Sequence, residues 1–294
     1  MSSTTKAYLL LTITGFGWAA NAVAGKFAVG HVGPMTLNFG RWALAFAVIV
    51  AVSLPQIRTD WPKIRRNWLV VYVFSGLGFA GFNALLYSAL RHTSAINVVI
   101  EQAGIPGLIF IGNYLLFRMR LGIGQMAGYM LTLLGVAVTA SNGSLTTILD
   151  LGLNAGDLLM LLACLTYATY TISLRYKPDI HWKSLFAASA AGALTISAPL
   201  MAWEMSSPDY AAPDSIGWAA IVFAALVPSL VSQVLYVRGV ELIGPNRASL
   251  FINTIPIFGT LLAVIFLREP LLGFHFAALA LVVTGIAIAE RGRL

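Results

Sequence analysis

The sequence predicts an all-α polytopic membrane protein with ten transmembrane helices, arranged as two inverted five-helix repeats around a central cavity. Three observations support this prediction. Hydrophobic residues make up 59% of the 294 residues and charged residues only 10%, so the chain has too little polar surface to cover a soluble protein of this length. Its apolar residues form ten runs of transmembrane length, and its two halves share a pattern of residues.

Ten apolar runs can be assigned along the chain, each near the roughly 20 residues that a helix needs to cross a bilayer. The connections are short, and several carry turn-forming residues, as in Val32-Gly33-Pro34 and Gly244-Pro245-Asn246. A soluble domain does not fit into connections of this length. In chain order, the predicted transmembrane helices are residues 8–29, 35–54, 68–90, 94–117, 121–141, 154–175, 184–204, 216–238, 247–267 and 270–289.

The first run has a competing interpretation, a secretory signal peptide, because Lys6 precedes it and Ala22-Val23-Ala24 resembles a cleavage site. Its removal would leave nine helices and would destroy the internal repeat. Gly15, Gly17 and Gly25 would also allow close packing against neighbouring helices in lipid. We therefore interpret this run as a retained transmembrane helix.

The basic residues predict the orientation of the chain. If the amino terminus is cytoplasmic, most of the 18 Lys and Arg residues fall in cytoplasmic segments, as the positive-inside rule requires. The exceptions are Arg91 and Arg268 in outer connections, Lys26 near an outer helix end and Arg41 within the second run. The prediction is a multi-pass protein of the inner (plasma) membrane with both termini in the cytoplasm.

The fourth run carries a carboxylate away from its ends, Glu101. An ionisable group at this depth, roughly 10 Å below the outer helix end, requires a partner or a wet cavity. One hypothesis is a structural ion pair of Glu101 with Arg41 or Lys26. The other is that Glu101 faces the cavity and binds a substrate ammonium group or a proton. The sequence leaves both open.

Prolines occupy matching positions in two runs, Pro106 in the fourth and Pro256 in the ninth. Each removes a backbone hydrogen bond and loosens its helix. One interpretation is a pair of hinges that move during transport. The other is a pair of static kinks that only shape the cavity.

The two halves of the chain align as two copies of one pattern. Because five helices is an odd number, the second copy is inverted in the membrane relative to the first, an architecture typical of secondary transporters. The predicted repeats are residues 1–150 and 151–294, which form one structural unit. The matched positions include Trp18 with Tyr167, Lys26 with Arg175, Pro106 with Pro256, and Gly135 with Gly285.

The second half, ELIGPNRASLFINTIPIFGTLLAVIFLREPLLGFHFAALALVVTGIAI, resembles the repeated domain of the EamA-type branch of the drug/metabolite transporter superfamily, and GFGWAANAVAGKFAVGHVGPMTLNFGRWALAFAVI resembles the start of the first copy. The chain is most similar to bacterial exporters of aromatic amino acids. The resemblance implies a basket of ten helices around a substrate cavity, with helices five and ten at its edge. One departure is Phe117-Arg118-Met119, which lacks the acid of Arg268-Glu269. Any family role of that carboxylate therefore applies only to Glu269.

Polar and aromatic side chains within the runs are the candidates for the cavity lining, because polar side chains turn away from lipid. Phe79, Asn83 and Tyr87 are four residues apart and share one helix face. Further polar members are Asn97, Ser232 and Tyr236. The candidate substrate-binding residues are Trp18, Asn21, Phe79, Asn83, Tyr87, Glu101, Gln102, Tyr167, Tyr170, Ser229, Gln233 and Asn253.

Each of these residues also has a structural interpretation. Amides between membrane helices often stabilise helix contacts, by about 0.6 kcal/mol on average, and buried aromatic residues often serve only in packing. Taken together, they predict a pocket lined by aromatic and amide groups without a fixed net charge. Such a pocket suits a neutral, partly apolar solute such as a zwitterionic amino acid.

Other functional classes have little support. The net charge of +7 does not indicate nucleic-acid binding, because the basic residues lie in short gaps between apolar runs rather than on one solvated face. The single cysteine, Cys164, excludes an internal disulfide and a cysteine metal site. The sequence has no HExxH or GxSxG motif and no channel filter signature. We expect no enzymatic activity, no metal and no cofactor.

These observations predict a secondary transporter that exports small neutral metabolites by alternating access, above all amino acids with aromatic or apolar side chains. The direction of export follows from the resemblance alone. The alternative is efflux of drug-like or cationic compounds that bind at Glu101. The expected partners are a small-molecule substrate and the lipid bilayer, and the oligomeric state stays open, with the monomer as one option.

Overall fold

A computed structural model of the chain describes residues 2–118, 122–144, 154–208, 210, 212–243 and 249–291. Met119, the connection Gly244-Pro245-Asn246 and the predicted boundary between residues 150 and 151 lie outside these residues.

The described residues form helices and no strand, which confirms the all-α class. Eight helices are long and apolar enough to cross a membrane, and two further apolar helices are shorter. Several combine α-helical turns with short 3-10 or π-helical segments. The helices are α1 (Ser3–Phe27), α2 (Pro34–Arg66), α3 (Trp68–Ala89), α4 (Ala95–Phe117), α5 (Ile123–Ala140), α6 (Ala155–Tyr176), α7 (Trp182–Met205), α8 (Ser215–Ile243), α9 (Phe251–Leu267) and α10 (Gly273–Arg291).

The helices run alternately between two ends of the bundle. We name the end that holds Ser3 and Arg291 the proximal end. The distal end is the opposite one, which holds the α1–α2 and α3–α4 connections. Under the predicted orientation the proximal end is cytoplasmic.

Helix packing follows an approximate twofold symmetry that relates α1–α5 to α6–α10. α1 packs against α8 and α9, and the corresponding helix α6 packs against α3 and α4. α2 packs against its own counterpart α7, and α5 against its counterpart α10. When the two halves are exchanged, the contacts of α1 correspond to those of α6. The α2–α7 and α5–α10 contacts each correspond to themselves. This arrangement is the two-repeat fold that the sequence predicts.

Irregular helical turns recur at corresponding positions of the two halves. α3 contains a π-helical segment at Ser75–Gly81, and α8 contains one at Ala225–Val231. The αL residue after α4 is Arg118, and the αL residue after α9 is Arg268. Because π-helical turns are rare and often lie at functional sites, their recurrence around the bundle centre indicates a shared structural role.

Small residues allow the close approach of α1 to the second half of the chain. A Cβ atom at Gly15 would overlap Thr254 of α9, and a Cβ atom at Gly17 would overlap Ser232 of α8. Helices in lipid associate through such close contacts. The close packing that the sequence indicates for these glycines is therefore present.

Carboxylates tie α2 and α7 together at both ends. At the distal end, Glu204 of α7 accepts hydrogen bonds from the backbone N–H groups of Met35 (3.0 Å) and Thr36 (2.8 Å) at the start of α2. At the proximal end, Asp60 of α2 accepts one from the backbone N–H of His181 (3.1 Å), the residue that precedes α7. The first N–H groups of a helix lack partners within the helix and favour negative charge, so each helix stabilises the start of the other.

α2 extends beyond the predicted end at residue 54 and finishes at Arg66. Hydropathy marks where a helix leaves lipid, not where its hydrogen bonding ends. The additional turns are polar, and Asp60 in them makes the contact with α7 described above. The predicted boundary was too early for this physical reason.

A second distal contact joins α9 to α4. Glu269, which follows α9, accepts hydrogen bonds from the backbone N–H groups of Ala95 (2.8 Å) and Ile96 (3.0 Å) at the start of α4. Nearby, the Nζ atom of Lys26 donates to the carbonyl oxygens of Leu90 (2.8 Å) and Thr93 (2.6 Å). The connection between α3 and α4 is thus held from both sides.

Asp214 forms a third distal contact, outside the helices. It accepts hydrogen bonds from the backbone N–H groups of Ile216 and Gly217 at the start of α8, and its Oδ2 atom lies 2.6 Å from Nδ1 of His31. The bond from Gly217, followed by that from His31, holds the pKa of Asp214 below its usual range. The α1–α2 connection is thereby fixed to α8.

Candidate substrate cavity

A cavity of about 360 Å³ lies at the centre of the bundle. It is lined by residues of α1 to α4 and α6 to α9, and none of the described residues of α5 or α10 contributes to its lining. The volume falls in the range of about 300–1,000 Å³ that is usual for pockets binding small molecules. Helices five and ten therefore lie outside the lining, as the resemblance implies.

Ten of the twelve candidate substrate-binding residues line this cavity, as do both prolines and Arg41. The lining ones are Trp18, Asn21, Phe79, Asn83, Gln102, Tyr167, Tyr170, Ser229, Gln233 and Asn253, together with Pro106 and Pro256. Tyr87 lies behind the wall and contacts the lining from the distal side. Glu101 and Lys26 do not face the cavity. That the ten lining candidates bind a substrate remains a prediction.

Among the described residues, Arg41 is the one basic residue in the lining, and it is almost fully buried, with 6% of its surface exposed. Its Nε atom donates to the hydroxyl of Ser229 (2.7 Å). Its Nη1 atom lies within hydrogen-bond distance of Oδ1 of Asn21 (3.1 Å), Oδ1 of Asn83 (2.6 Å) and the hydroxyl of Tyr87 (2.6 Å). All of these acceptors are neutral. Within the described part of the chain, Nη2 makes no hydrogen bond and no carboxylate pairs with Arg41.

The predicted absence of a fixed net charge is therefore wrong for the described lining. The lining contains the guanidinium group of Arg41 and, among the described residues, no Asp or Glu. The sequence makes Arg41 a candidate ion-pair partner of Glu101. It does not reveal that neutral amides and hydroxyls from α1, α3 and α8 surround the guanidinium group instead.

Local helix geometry explains how these partners meet. Asn83 and Tyr87 are four residues apart in α3 and share a face. Ser229 lies in the π-helical segment of α8, and its hydroxyl donates to the carbonyl of Ala224 (2.8 Å), five residues earlier. The wider turn rotates the following residues relative to an α-helix. Ser229 is thereby directed toward Arg41 of α2.

Aromatic rings form the apolar part of the lining. The ring of Phe79 lies 4.9 Å from Trp42, 5.9 Å from Tyr170 and 5.8 Å from Phe186, measured between centroids. Trp42, Phe82 and Phe186 were not among the candidates. Phe82 could have been found, because it lies three residues after Phe79 on the same helix face.

A second aromatic group lies on the α1, α6 and α8 side. Trp18 and Tyr236 have ring centroids 5.2 Å apart, and Nε1 of Trp18 donates to the carbonyl of Pro228 (3.1 Å). Tyr167 and Tyr170 have centroids 5.5 Å apart. Tyr170 also contacts Phe79, so this group is continuous with the first one.

Tyr87 separates the cavity from a smaller depression at the distal end. The depression, of about 180 Å³, is lined by Tyr87, Arg91 and Glu204 among others. The hydroxyl of Tyr87 accepts from Arg41 and donates to Oδ1 of Asn21 (2.9 Å). Val23 and Leu86 nearby are 6% and 1% exposed. The distal side of the cavity is closed by these contacts.

Glu101 forms no ion pair with Arg41 or Lys26 in the described structure, so that hypothesis is wrong. Its side chain is fully buried, and its two carboxylate oxygens have no hydrogen-bond partner among the described residues. Its backbone carbonyl accepts from Sγ of Cys164 on α6 (3.5 Å). Successive helical residues point about 100° apart, and because Gln102 faces the cavity, Glu101 points elsewhere, between α4 and α6.

Comparisons with known proteins agree with this architecture. The curated protein named "Uncharacterized transporter YyaM" of Bacillus subtilis (strain 168) is 25% identical over 268 residues, which cover 90% of this chain and 87% of that protein. "Uncharacterized transporter" of Archaeoglobus fulgidus is 27% identical over 292 residues, 97% of this chain and 98% of that protein. A crystal structure aligns with a TM-score of 0.64 and 21% identity, and covers 99% of this chain and 98% of its own.

The match to a family extends over both repeats. The sequence pattern described as "EamA-like transporter family" matches residues 5–141 and again residues 154–290. These two segments correspond to α1–α5 and α6–α10, the units that the packing symmetry relates. The protein is a multi-pass membrane transporter, and the chain belongs to the EamA-like transporter family.

Proposed function

We propose that the protein exports small carboxylate-bearing metabolites by alternating access, above all amino acids with aromatic or apolar side chains. The observation that carries this proposal is Arg41, a buried cation in the cavity wall without an acidic partner among the described residues. A buried charge without a counter-ion is costly within a membrane. A solute carboxylate in the cavity offsets that cost.

The free donors of Arg41 suit this role. Its bonds to protein groups engage Nε and Nη1 and leave the two N–H groups of Nη2 for a solute. Guanidinium–carboxylate hydrogen bonds are short, strong and directional. The neutral partners on the other side fix the orientation of the guanidinium group without cancelling its charge.

The remaining parts of an amino acid also have partners in the lining. The rings of Phe79, Trp42 and Tyr170 offer an apolar surface for an aromatic or aliphatic side chain. An ammonium group would contact the carbonyl oxygens of Gln102 and Asn253 or the ring faces of the aromatic residues. This division of the cavity supports a zwitterionic amino acid as the solute.

A second candidate is an organic monocarboxylate without an amine. It is favoured by the absence of any Asp or Glu from the described lining, which leaves an ammonium group without a formal counter-charge. Efflux of cationic compounds at Glu101 loses its basis, because Glu101 does not face the cavity and Arg41 does.

Exchange of labelled phenylalanine in proteoliposomes tests the proposal. Arg41→Gln should reduce the apparent affinity by roughly 10- to 150-fold, the equivalent of a charge-assisted hydrogen bond of about 1.5–3 kcal/mol. Arg41→Lys should retain part of the affinity, because lysine keeps the positive charge but lacks the planar guanidinium group that can bind a carboxylate through two hydrogen bonds. Competition with phenylpropionate, phenylalaninamide and cationic drugs then separates the candidate classes.

The matched control is Arg238→Gln, because Arg238 is exposed and pairs with Glu241 on the same helix. It should exchange phenylalanine like the wild type. Full exchange by Arg41→Gln, or competition by cationic compounds alone, would contradict the proposal. Competition by phenylpropionate but not by phenylalaninamide would support carboxylate recognition by Arg41.

A further inference from the structure

A cluster of buried polar groups lies outside the cavity, between α4, α6 and α10 in the distal half. Two of its members are acids, Glu101 of α4 and Asp157 of α6, and both are fully buried. Both carboxylate oxygens of Glu101 and the Oδ2 atom of Asp157 lack a hydrogen-bond partner among the described residues. Asp157 contacts Asn97, which lies one helical turn before Glu101 in α4. No contact with a solute in the cavity accounts for them.

The cluster supplies hydrogen bonds to one acid only. Oδ1 of Asp157 accepts from the hydroxyl of Thr93 and from Nδ2 of Asn97 (3.3 Å). Asn97 and Glu101 are four residues apart in α4 and share a face. The polar chain therefore runs from Thr93, near the distal end, past Asp157 and Asn97 toward Glu101.

The charged and titratable groups around the two acids do not neutralise them. Nδ1 of His275 on α10 accepts the backbone N–H of Leu272 (3.0 Å), so the proton of a neutral imidazole lies on Nε2, which is 3.1 Å from Oδ1 of Asn97. Cys164 of α6 donates to the carbonyl of Glu101. α9 carries no titratable residue between Phe251 and Leu267.

Lys26 and Glu269, two further charged residues in the distal half, are bound to backbone groups. Lys26 of α1 donates to two backbone carbonyls, and Glu269 accepts two backbone N–H groups at the start of α4. Tyr129 of α5 stacks on Phe110, in the proximal part of α4. An ionised carboxylate without a partner is too costly in such surroundings, and two adjacent ionised acids would add repulsion. At least one proton is therefore bound to the pair.

We infer that Glu101 and Asp157 form a proton-binding site in the α4–α6 interface, which takes up and releases one proton in each transport cycle. The proton binds a carboxylate oxygen from water at one side of the membrane and returns to water at the other side. No covalent bond of the solute changes. The site is separate from the solute cavity, and it would couple export to a proton gradient.

The position of Glu101 within α4 connects this site to the cavity. The α-helical segment Ala95–Glu101 ends there, and the following residues form a 3-10 turn, Gln102–Gly104. Gln102 and Pro106 line the cavity. Loss of the proton would create an unpaired charge at this turn, which only water or movement of α4 could accommodate.

The coupling part of this inference rests on the proposed transport, whereas the bound proton does not. Infrared spectroscopy of the purified protein in lipid tests the proton directly. The wild type should show the C=O stretching band of a protonated carboxyl group at neutral pH, and Glu101→Gln should lose that band. Glu241→Gln, at an exposed residue paired with Arg238, should keep it. A wild-type spectrum without the band would overturn the site, whatever the protein transports.

Proteoliposomes loaded with a pH-sensitive dye test the coupling. With the wild type, labelled phenylalanine should accumulate under an imposed proton gradient, and its transport should be accompanied by proton movement. The Glu241→Gln variant should behave in the same way. Glu101→Gln should still exchange phenylalanine without a gradient but should lose both accumulation and proton movement. Because this substitution keeps size and shape, retained exchange also reports correct folding. Glu101→Asp, which restores a carboxyl group, should recover part of the coupling.

The outcomes separate the two proposals. Accumulation by Glu101→Gln equal to the wild type, or accumulation that follows a sodium gradient at fixed pH, would overturn the proton site while the proposed transport stands. A wild type that never exchanges phenylalanine or its competitors would overturn the proposed transport, while the infrared band would still decide whether Glu101 is protonated. Loss of both accumulation and the band in Glu101→Gln with exchange retained, and recovery of both in Glu101→Asp, supports the site.

Discussion

Gly78 determines how closely the ring of Tyr170 approaches α3, and through that ring it determines the width of the cavity. A Cβ atom at Gly78 would overlap the base of the Tyr170 ring, which cannot move without displacing α6 or entering the cavity. Gly78→Ala should therefore weaken phenylalanine binding by about 1–3 kcal/mol, or roughly 5- to 150-fold. L-alanine, which needs less space, should bind nearly as before. Competition in the exchange assay measures both.

The same helical segment provides the control. Gly76 lies two residues earlier, and a Cβ atom there would meet only Cδ1 of Ile196 at 3.5 Å, an ordinary van der Waals contact. Gly76→Ala should leave both affinities unchanged. Equal losses for phenylalanine and L-alanine in Gly78→Ala would indicate general damage to the fold and would contradict a role in selecting solute size.

At this scale ten of the twelve candidate residues chosen from the sequence line the cavity, but the charge of the lining was predicted wrongly. Polarity alone finds amides such as Asn83 and Gln102, because a membrane helix turns them away from lipid. It does not separate Glu101 from Gln102, since the direction of each depends on one-residue rotations within α4. The environment of Arg41 was missed because neutral acceptors from distant helices leave no charge pattern in the sequence.

α4 and α9, the helices that carry Pro106 and Pro256, each change from a 3-10 segment to an α-helical segment just before the proline. In α4, Pro106 follows the 3-10 turn Gln102–Gly104, and in α9, Pro256 follows the 3-10 segment Ser249–Thr254. Each proline lies in the first turn of the next α-helical segment, where its missing N–H costs little. Both helices thus have a weak point beside the cavity, at symmetry-related positions.

If these weak points are hinges, replacement of Pro106 and Pro256 by alanine should slow exchange and leave the order of competing solutes unchanged. Alanine allows continuous α-helical hydrogen bonding and removes a preference of about 3 kcal/mol against it. Exchange rates and competition profiles in proteoliposomes measure the two properties. Pro199→Ala is the matched control, because Pro199 is an exposed proline inside α7 that does not line the cavity. A changed solute order at a normal rate would instead indicate static kinks.

Hydropathy located the helices but not their internal irregularities. The π-helical segments Ser75–Gly81 and Ala225–Val231 make side-chain contacts with other helices, as Ser229 does with Arg41, and hydropathy does not reveal such contacts. Hydropathy also does not predict the end of α2, because a helix that leaves lipid can continue where polar contacts stabilise it.

The prediction from sequence was most successful for the whole molecule. The composition indicates that the chain lies in a lipid bilayer, and the internal repeat predicts which helices pack against each other. A chain with this apolar content must satisfy its backbone in helices, and two inverted copies must pack around a shared axis. The distal contacts made by the carboxylates of Glu204, Glu269 and Asp214, here called the distal clamps, could not be foreseen in the same way. They join residues that are far apart in sequence, such as Glu204 with Thr36.

The symmetry of the molecule is broken at one of these clamps. Glu269 after α9 binds the first N–H groups of α4 at the distal end. The corresponding residue after α4 is Met119, whose side chain cannot accept such bonds with a negative charge. Glu269 therefore provides a carboxylate clamp between α4 and α9 at the distal end, whereas Met119 cannot provide one at the proximal end. The imbalance should favour closure of the distal side.

Removal of the clamp charge should shift the population toward states open at the distal end. Glu269→Gln replaces charge-assisted hydrogen bonds worth about 1.5–3 kcal/mol with weaker ones, so the distal-open fraction should rise by about tenfold. A cysteine at Val23, which is 6% exposed in the closed structure, reports opening by its rate of labelling with a membrane-impermeant thiol reagent, in a background in which Cys164 is alanine. Glu241→Gln, at an exposed residue away from the clamp, should label at the unchanged rate. If Glu269→Gln labels no faster than this control, the carboxylate is not what holds the distal side closed, and the packing of α1, α3 and α4 alone accounts for it.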